Sequence, residues 1–145
     1  MKLFKKVSAM VVSLLMALAM VVPVAAANPT ITVKNIATDE NVTLSYLKVV
    51  KQDKTTKTGW AFVSDEVTKI FKEEYKKNDA QAILASLANS AAHSKALARL
   101  GNLNGFTKFT DNAGRKTEVD GAGLYVVKVV DNSNKYTYNV MAGSN

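Results

Sequence analysis

The spacing of hydrophobic positions changes three times along the chain. At the start, Lys2, Lys5 and Lys6 precede an uncharged, almost wholly apolar run from Val7 to Val22. Pro23 ends the run, and Ala25, Ala26 and Ala27 follow. That order matches a secretory signal peptide with a small-residue cleavage site. The run is about 16 residues, short of the ~20 a spanning helix needs. The expectation is a removed leader, residues 1–27, with Asn28 first in the mature chain or Ala27 by the neighbouring cleavage. No stable membrane span would then remain.

Beyond the leader the period is two. Ile31 and Val33 alternate with Thr32 and Lys34, which predicts a short strand with one buried face. Thr38 to Asn41 has turn chemistry. Val42 to Lys51 is rich in β-branched and aromatic residues and reads as a longer strand. A polar loop with several lysines, between Lys51 and Lys57, leads to the apolar stretch Trp60 to Val63.

Helical spacing then takes over. Ser64 predicts an N-cap with Asp65 and Glu66 in the first turn. Val67, Ile70, Phe71 and Tyr75 recur on one face. Asn78 or Asp79 predicts the cap of a second helix running to Leu100, with Ile83, Leu84, Leu87, Leu97 and Leu100 as its stripe and Gly101 as its stop. The spacing also predicts ion pairs Asp65–Lys69 and Glu73–Lys77. After Gly101 the period returns to two. Two hairpins are predicted, one around Asp111 to Gly114 and a stronger one around Asp131 to Asn134. Strands, then helices, then strands predict a mainly β domain with an antiparallel sheet or β-sandwich and a helical insertion at about residues 64–100, rather than a βαβ fold.

Composition narrows the function. Three of the 19 basic residues lie in the leader, which leaves 16 against 12 acidic residues and a net charge of +4 on residues 28–145. No basic run interleaves with aromatic residues, so nucleic acid is not an expected partner. With 118 residues the mature chain is one domain, large enough for a core without metal staples. There is no cysteine, although exported domains of this size often use disulfides.

Catalytic patterns are not found. His93 is the only histidine and has no partners at metal-ligand spacing, so it reads as a packing or surface residue. Neither a nucleophile elbow nor a phosphate-binding glycine loop is present. A non-enzymatic protein without metal or cofactor is expected.

The order of several segments carries a family resemblance: Ile31 to Lys51, then Thr58 to Phe62, an Ala/Leu-rich helix, Gly123 to Lys128, and Tyr136 to Met141. Together they resemble the N-terminal domain of sortase-assembled, isopeptide-forming pilins of Gram-positive bacteria, over Thr30 to Met141. Val140 stands where that family usually has proline. Neither a Leu-Pro-x-Thr-Gly sorting signal nor a Tyr-Pro-Lys motif is found in these 145 residues. The chain is therefore expected to be part of a longer pilin or a stand-alone secreted relative.

The resemblance implies an Ig-like sandwich, a secreted or cell-surface location, and other pilin subunits as partners through a sortase. It also implies an intramolecular bond between a lysine amine and an Asn or Asp side chain, assisted by an acid. Such a bond needs a neutral amine, which burial favours. Lys48, in the middle of the apolar face of Val42, Leu44, Tyr46 and Val50, is the first candidate, and Lys34 the second. The plain alternative for Lys48 is a strand lysine whose stem packs while its amine reaches water. Asn139 is the candidate amide and Glu118 the candidate acid, with Asp120 or Glu66 as substitutes. Closing a loop of about 90 residues would contribute on the order of 4 kcal/mol by analogy with disulfides. The second functional reading is a secreted adhesin domain for a host protein or glycan, with Trp60, Phe62 and the lysine-rich loop as its surface. The plain alternative for Trp60 is a core position beneath the helices.

Overall fold

The computed structural model describes residues 6–7, 10–13, 28–37, 39–87 and 91–144. The cleavage-site alanines and Thr38 lie outside them. The body is built on strand β4 (Val42–Gln52), which pairs antiparallel with β8 (Gly123–Asp131) from Val42 opposite Asp131 to Lys51 opposite Gly123. β10 (Met141–Ser144) extends this sheet beyond β8, while β5 (Trp60–Phe62) and β6 (Thr107–Lys108) share the opposite edge of β4. A smaller sheet has the order β2 (Met10–Ser13), β3 (Thr30–Lys34) and β7 (Lys116–Glu118). β1 (Lys6–Val7) runs parallel to β9 (Thr137–Tyr138). The chain is thus mainly β, with every pairing but that last one antiparallel among the described strands.

Alternation along β8 explains the apolar run Leu124 to Val127 and the apolar residues that follow Lys128. Leu124 and Val126 enter one core, while Tyr125, Val127 and Val129 enter another. A strand buried on both faces has no polar side to display. The first core joins β4, β5 and β8 to the helices through Val49, Val50, Trp60, Phe62, Phe71, Ile83 and Leu100. Phe62 stacks on Phe71 with ring centroids 4.7 Å apart. The second core collects Ile31 and Val33 with Val42, Leu44, Phe109 and Tyr138. A bulge between Lys48 and Val50 shifts the β4 register and lets both Val49 and Val50 reach the first core.

The helical segment lies between β5 and β6, as its periodicity predicts. α1 (Asp65–Tyr75) opens on Ser64, whose hydroxyl accepts the Val67 N–H at 3.2 Å. Asp79 caps α2 (Ala80–Ala85) by accepting from Gln81 and Ala82. The expected single second helix is two, α2 and α3 (Ala91–Leu100). At 100° per residue, a straight helix would turn the Ile83/Leu84 stripe about 120° away from Leu97 and Leu100. The break lets both stripes face the same core. Gly101 follows the helix, but close packing explains it better than a left-handed stop: a Cβ there would sit 2.6 Å from Val140 Cγ2. No helix among the described residues is long and apolar enough to cross a membrane.

Three further expectations are corrected. The turn at Asp111 closes through paired backbone bonds with Lys116, yet its flanking strands enter different sheets, β6 beside β4 and β7 beside β3. The predicted Glu73–Lys77 pair is replaced. α1 ends at Tyr75 with Lys76 left-handed (φ 55°), which takes Lys77 off the helix. Glu73 and Glu74 instead bind Arg99 of α3 at 2.8 and 2.9 Å. Asp65–Lys69 does not form a salt bridge either among the described residues; Asp65 stands exposed in the first turn, where water and the helix N–H groups compete for its charge.

Side-chain amides finish the edge of the large sheet. Asn112 accepts from Leu44 N–H and donates to the Val42 carbonyl, both at 2.8 Å. Its amide occupies the place of a strand residue next to β6. Gln81 does the same for the β5 approach, accepting from Thr58 N–H at 2.9 Å and donating to the Trp60 carbonyl at 2.9 Å. Asn112→Ala removes two bonds and strands two backbone groups, so it should cost roughly 2–3 kcal/mol. Asn112→Asp keeps the acceptor and should cost less than Asn112→Ala. Chemical denaturation of both variants checks the order.

Candidate functional site

Of the sequence candidates, Lys48 and Asp120 meet, where the bulge of β4 lies beside the loop entering β8. Lys48 stands opposite Tyr125 and is half-buried. Its Nζ donates to the Asp120 carbonyl at 2.5 Å and lies 5.5 Å from the centre of the Tyr125 ring. Burial lowers the Lys48 pKa; the Asp120 carboxylate pulls it back up, and Lys51 adds to the lowering. The amine is therefore partly desolvated, with one oxygen partner and an aromatic face beside it.

Glycines allow this approach. Gly121 has φ +74°, a conformation that costs other residues strain. A Cβ at Gly123 would stand 2.2 Å from the Val50 carbonyl oxygen and 2.9 Å from Lys48 Cε. The loop from Val119 to Ala122 thus folds directly over the lysine. Tyr125 secures it from below: its hydroxyl lies 2.7 Å from the carbonyls of both Asp120 and Gly121. One hydroxyl proton serves two acceptors in that geometry. Burial, then the Asp120 charge, then Tyr46 push the Tyr125 pKa up.

The other isopeptide candidates stand elsewhere. Lys34 is exposed at the end of β3, Glu118 is exposed in β7, and Asn139 is exposed between β9 and β10. Gly143 of β10 is level with Tyr125, as Lys48 is on the other side of β8. Asn139 therefore lies four residues along and two strands across from Lys48, roughly 16 Å between backbones at ordinary strand spacings. The structure does not bring Lys48 and Asn139 together. Lys48 instead meets the substitute acid's residue, Asp120, through its main chain. Glu66 is exposed in the first turn of α1.

Trp60 and Phe62 are buried in the first core at 6 and 8 % exposure. They do not form the surface that the adhesin reading assigns to them, because the turn of β5 onto β4 points both toward the helices. The lysines of the neighbouring loop, Lys51, Lys54 and Lys57, are exposed. His93 is half-buried, with Nδ1 3.3 Å from the Tyr75 hydroxyl, and burial lowers its pKa. It packs between α3 and α1.

Several organising polar residues carry no separate signal in the sequence. Asp131 receives the hydroxyl of Ser133 and the N–H groups of Ser133, Lys135 and Tyr136. The Ser133 hydroxyl, with those backbone donors, holds its pKa down to about 2 against the opposing effect of burial. Arg115, buried with φ 58°, donates to the carbonyls of Ala37, Glu40 and Asn112. Both residues look like ordinary turn positions until their partners are known.

No protein-family model, curated protein or solved structure matches the chain.

Tyr125→Phe should lower stability by about 1–2 kcal/mol through loss of the shared hydroxyl bond. The pH dependence has a definite sign. A raised folded pKa means stability that is present below the unfolded value near 10 and lost above it. Thermal melts between pH 8 and 11 should show that alkaline loss in the parent and a smaller one in Tyr125→Phe.

Proposed function

We propose that the chain is an exported, non-catalytic structural subunit of a cell-surface fibre, or the N-terminal domain of one. The observation that supports this best is how the reactive-looking groups are used. The Lys48 amine and Tyr125 hydroxyl bind the backbone of their own Val119 to Ala122 loop. A lysine and tyrosine committed to main-chain carbonyls serve rigidity. The three-part leader supports export, and the absence of disulfides is matched by two buried cores.

On this reading the second core is the interior of an Ig-like sandwich, with the β4/β8 face packed on β3 and β7. The helices form a covering layer on the opposite face. Partners are other subunits, joined by a sortase where the domain belongs to a longer pilin. The adhesin reading rests on the exposed lysine loop alone once Trp60 and Phe62 are placed in the core. Its ligand would be an acidic host protein or glycan.

Cell fractionation of the native host with an antibody against residues 28–145 tests the proposal. The expected result is cell-wall or medium antigen beginning at Asn28 or Ala27, part of it in high-mass species that survive boiling in detergent. Antigen confined to the cytoplasm with Met1 intact would contradict it.

A further inference from the structure

β3 has two edges, and they are closed by different means. On one side it pairs with β7: Val33 N–H donates to the Arg115 carbonyl at 2.8 Å, and the Pro29 carbonyl accepts from Val119 N–H at 2.9 Å. Main-chain groups alternate sides along an antiparallel strand. The N–H and C=O groups of Thr30, Thr32 and Lys34 therefore face away from β7. What faces them is β2, with Met10 opposite Lys34 and Ser13 opposite Ile31. β2 also runs beside β10. β2, a segment of the leader, thus fills a slot with β3 on its paired side and β10 close by.

The edges of β4 and β5 are closed by residues of the body, whereas β9, like β3, pairs with a leader strand. Asn112 and β6 cover the edge of β4, and Gln81 covers the approach to β5. The β3 edge is closed by a segment that export would remove. An uncovered edge is a template for another strand.

We propose that the leader strand is a removable plug, and that its removal converts the slot into an acceptor for one extended, uncharged segment of a second copy of this chain. The inference rests on the exported-subunit reading, in which the neighbours are copies. The slot selects a lone segment. β10 lies close beside β2, so a second folded β3 edge, arriving with its own β7, would crowd β10. The chemistry follows from the present occupant, the uncharged segment Met10, Val11, Val12 and Ser13. Strand addition of this kind takes its affinity from main-chain hydrogen bonds.

The chain 28–145 is suited to the test, since the described residues of both cores run from Ile31 onward. Sedimentation velocity of this chain should show concentration-dependent association, and the uncleaved chain should remain monomeric. A synthetic peptide of residues 7–16 should bind the 28–145 chain and reverse its association. Thr32→Pro deletes an N–H that points into the slot and takes no part in the β7 ladder. It should weaken peptide binding roughly tenfold or more and suppress association, with the near-UV circular dichroism of the parent. Thr30→Pro, the neighbouring outward position, replaces it if that fold is lost. A 28–145 chain that stays monomeric, with or without bound peptide, overturns the proposal. So does association that neither the peptide nor the proline variants alter. Failure here is distinct from failure of the subunit reading: a surface-located monomer ends the slot proposal only, and a self-associating protein that stays in the cytoplasm ends the export reading.

Discussion

The antiparallel ladder between β4 and β8 has a core against each of its faces. Tyr125, Val127 and Val129 look toward β3, and Leu124 and Val126 look toward the helices. Shifting β8 by one residue would exchange those sets and place Tyr125 among the helices. Lys128 adds a constraint on the helical face: its amine lies over the Phe106 ring at 4.4 Å and donates to the Gly101 carbonyl at 3.2 Å. The same lysine thus ties the end of α3 to the ladder, where a cation complements the helix C-terminus. Register, helix position and the small sheet all follow from this one pairing.

Polar side chains finish what the ladder begins. Asn112 and Gln81 take places where strands run out, while Asp131 and Arg115 gather the backbone of the turns. The Lys48–Tyr125 pair fixes the loop entering β8 at the point where the β4 bulge sits. Some of these bonds join positions far apart in the chain, such as Leu44 with Asn112 and Lys48 with Asp120. The ion pairs of Arg99 with exposed Glu73 and half-buried Glu74 lie at the surface and add little by comparison.

The sequence made the elements legible wherever burial imposes a period. β3 buries Ile31 and Val33, and β8 reads as a strand because both its faces are covered. The N-caps at Ser64 and Asp79 are local chemistry and were readable as such. The break near Ser86 was not, because each half of that segment has a good helical stripe and only their relative angle forbids a single rod. The site was legible in part. Lys48 stands out as a lysine on an apolar face, but its partner is a main-chain carbonyl, which no side-chain pattern announces. Asn139 is conspicuous as a strand-like asparagine, yet the register sets it well along β10's line from Lys48. Asn112 reads as a turn residue because its two backbone partners lie about seventy positions earlier.

Native-state hydrogen exchange on residues 28–145 tests most directly whether the β4–β8 ladder governs the rest. The account predicts that amides of Leu44 to Val50 and Leu124 to Val129 exchange last, only through global unfolding, with slopes in denaturant equal to the equilibrium value. α2 and β10 should open earlier, by smaller fluctuations. Protection that is greatest in the helices, with β4 and β8 exchanging through local opening, would contradict it.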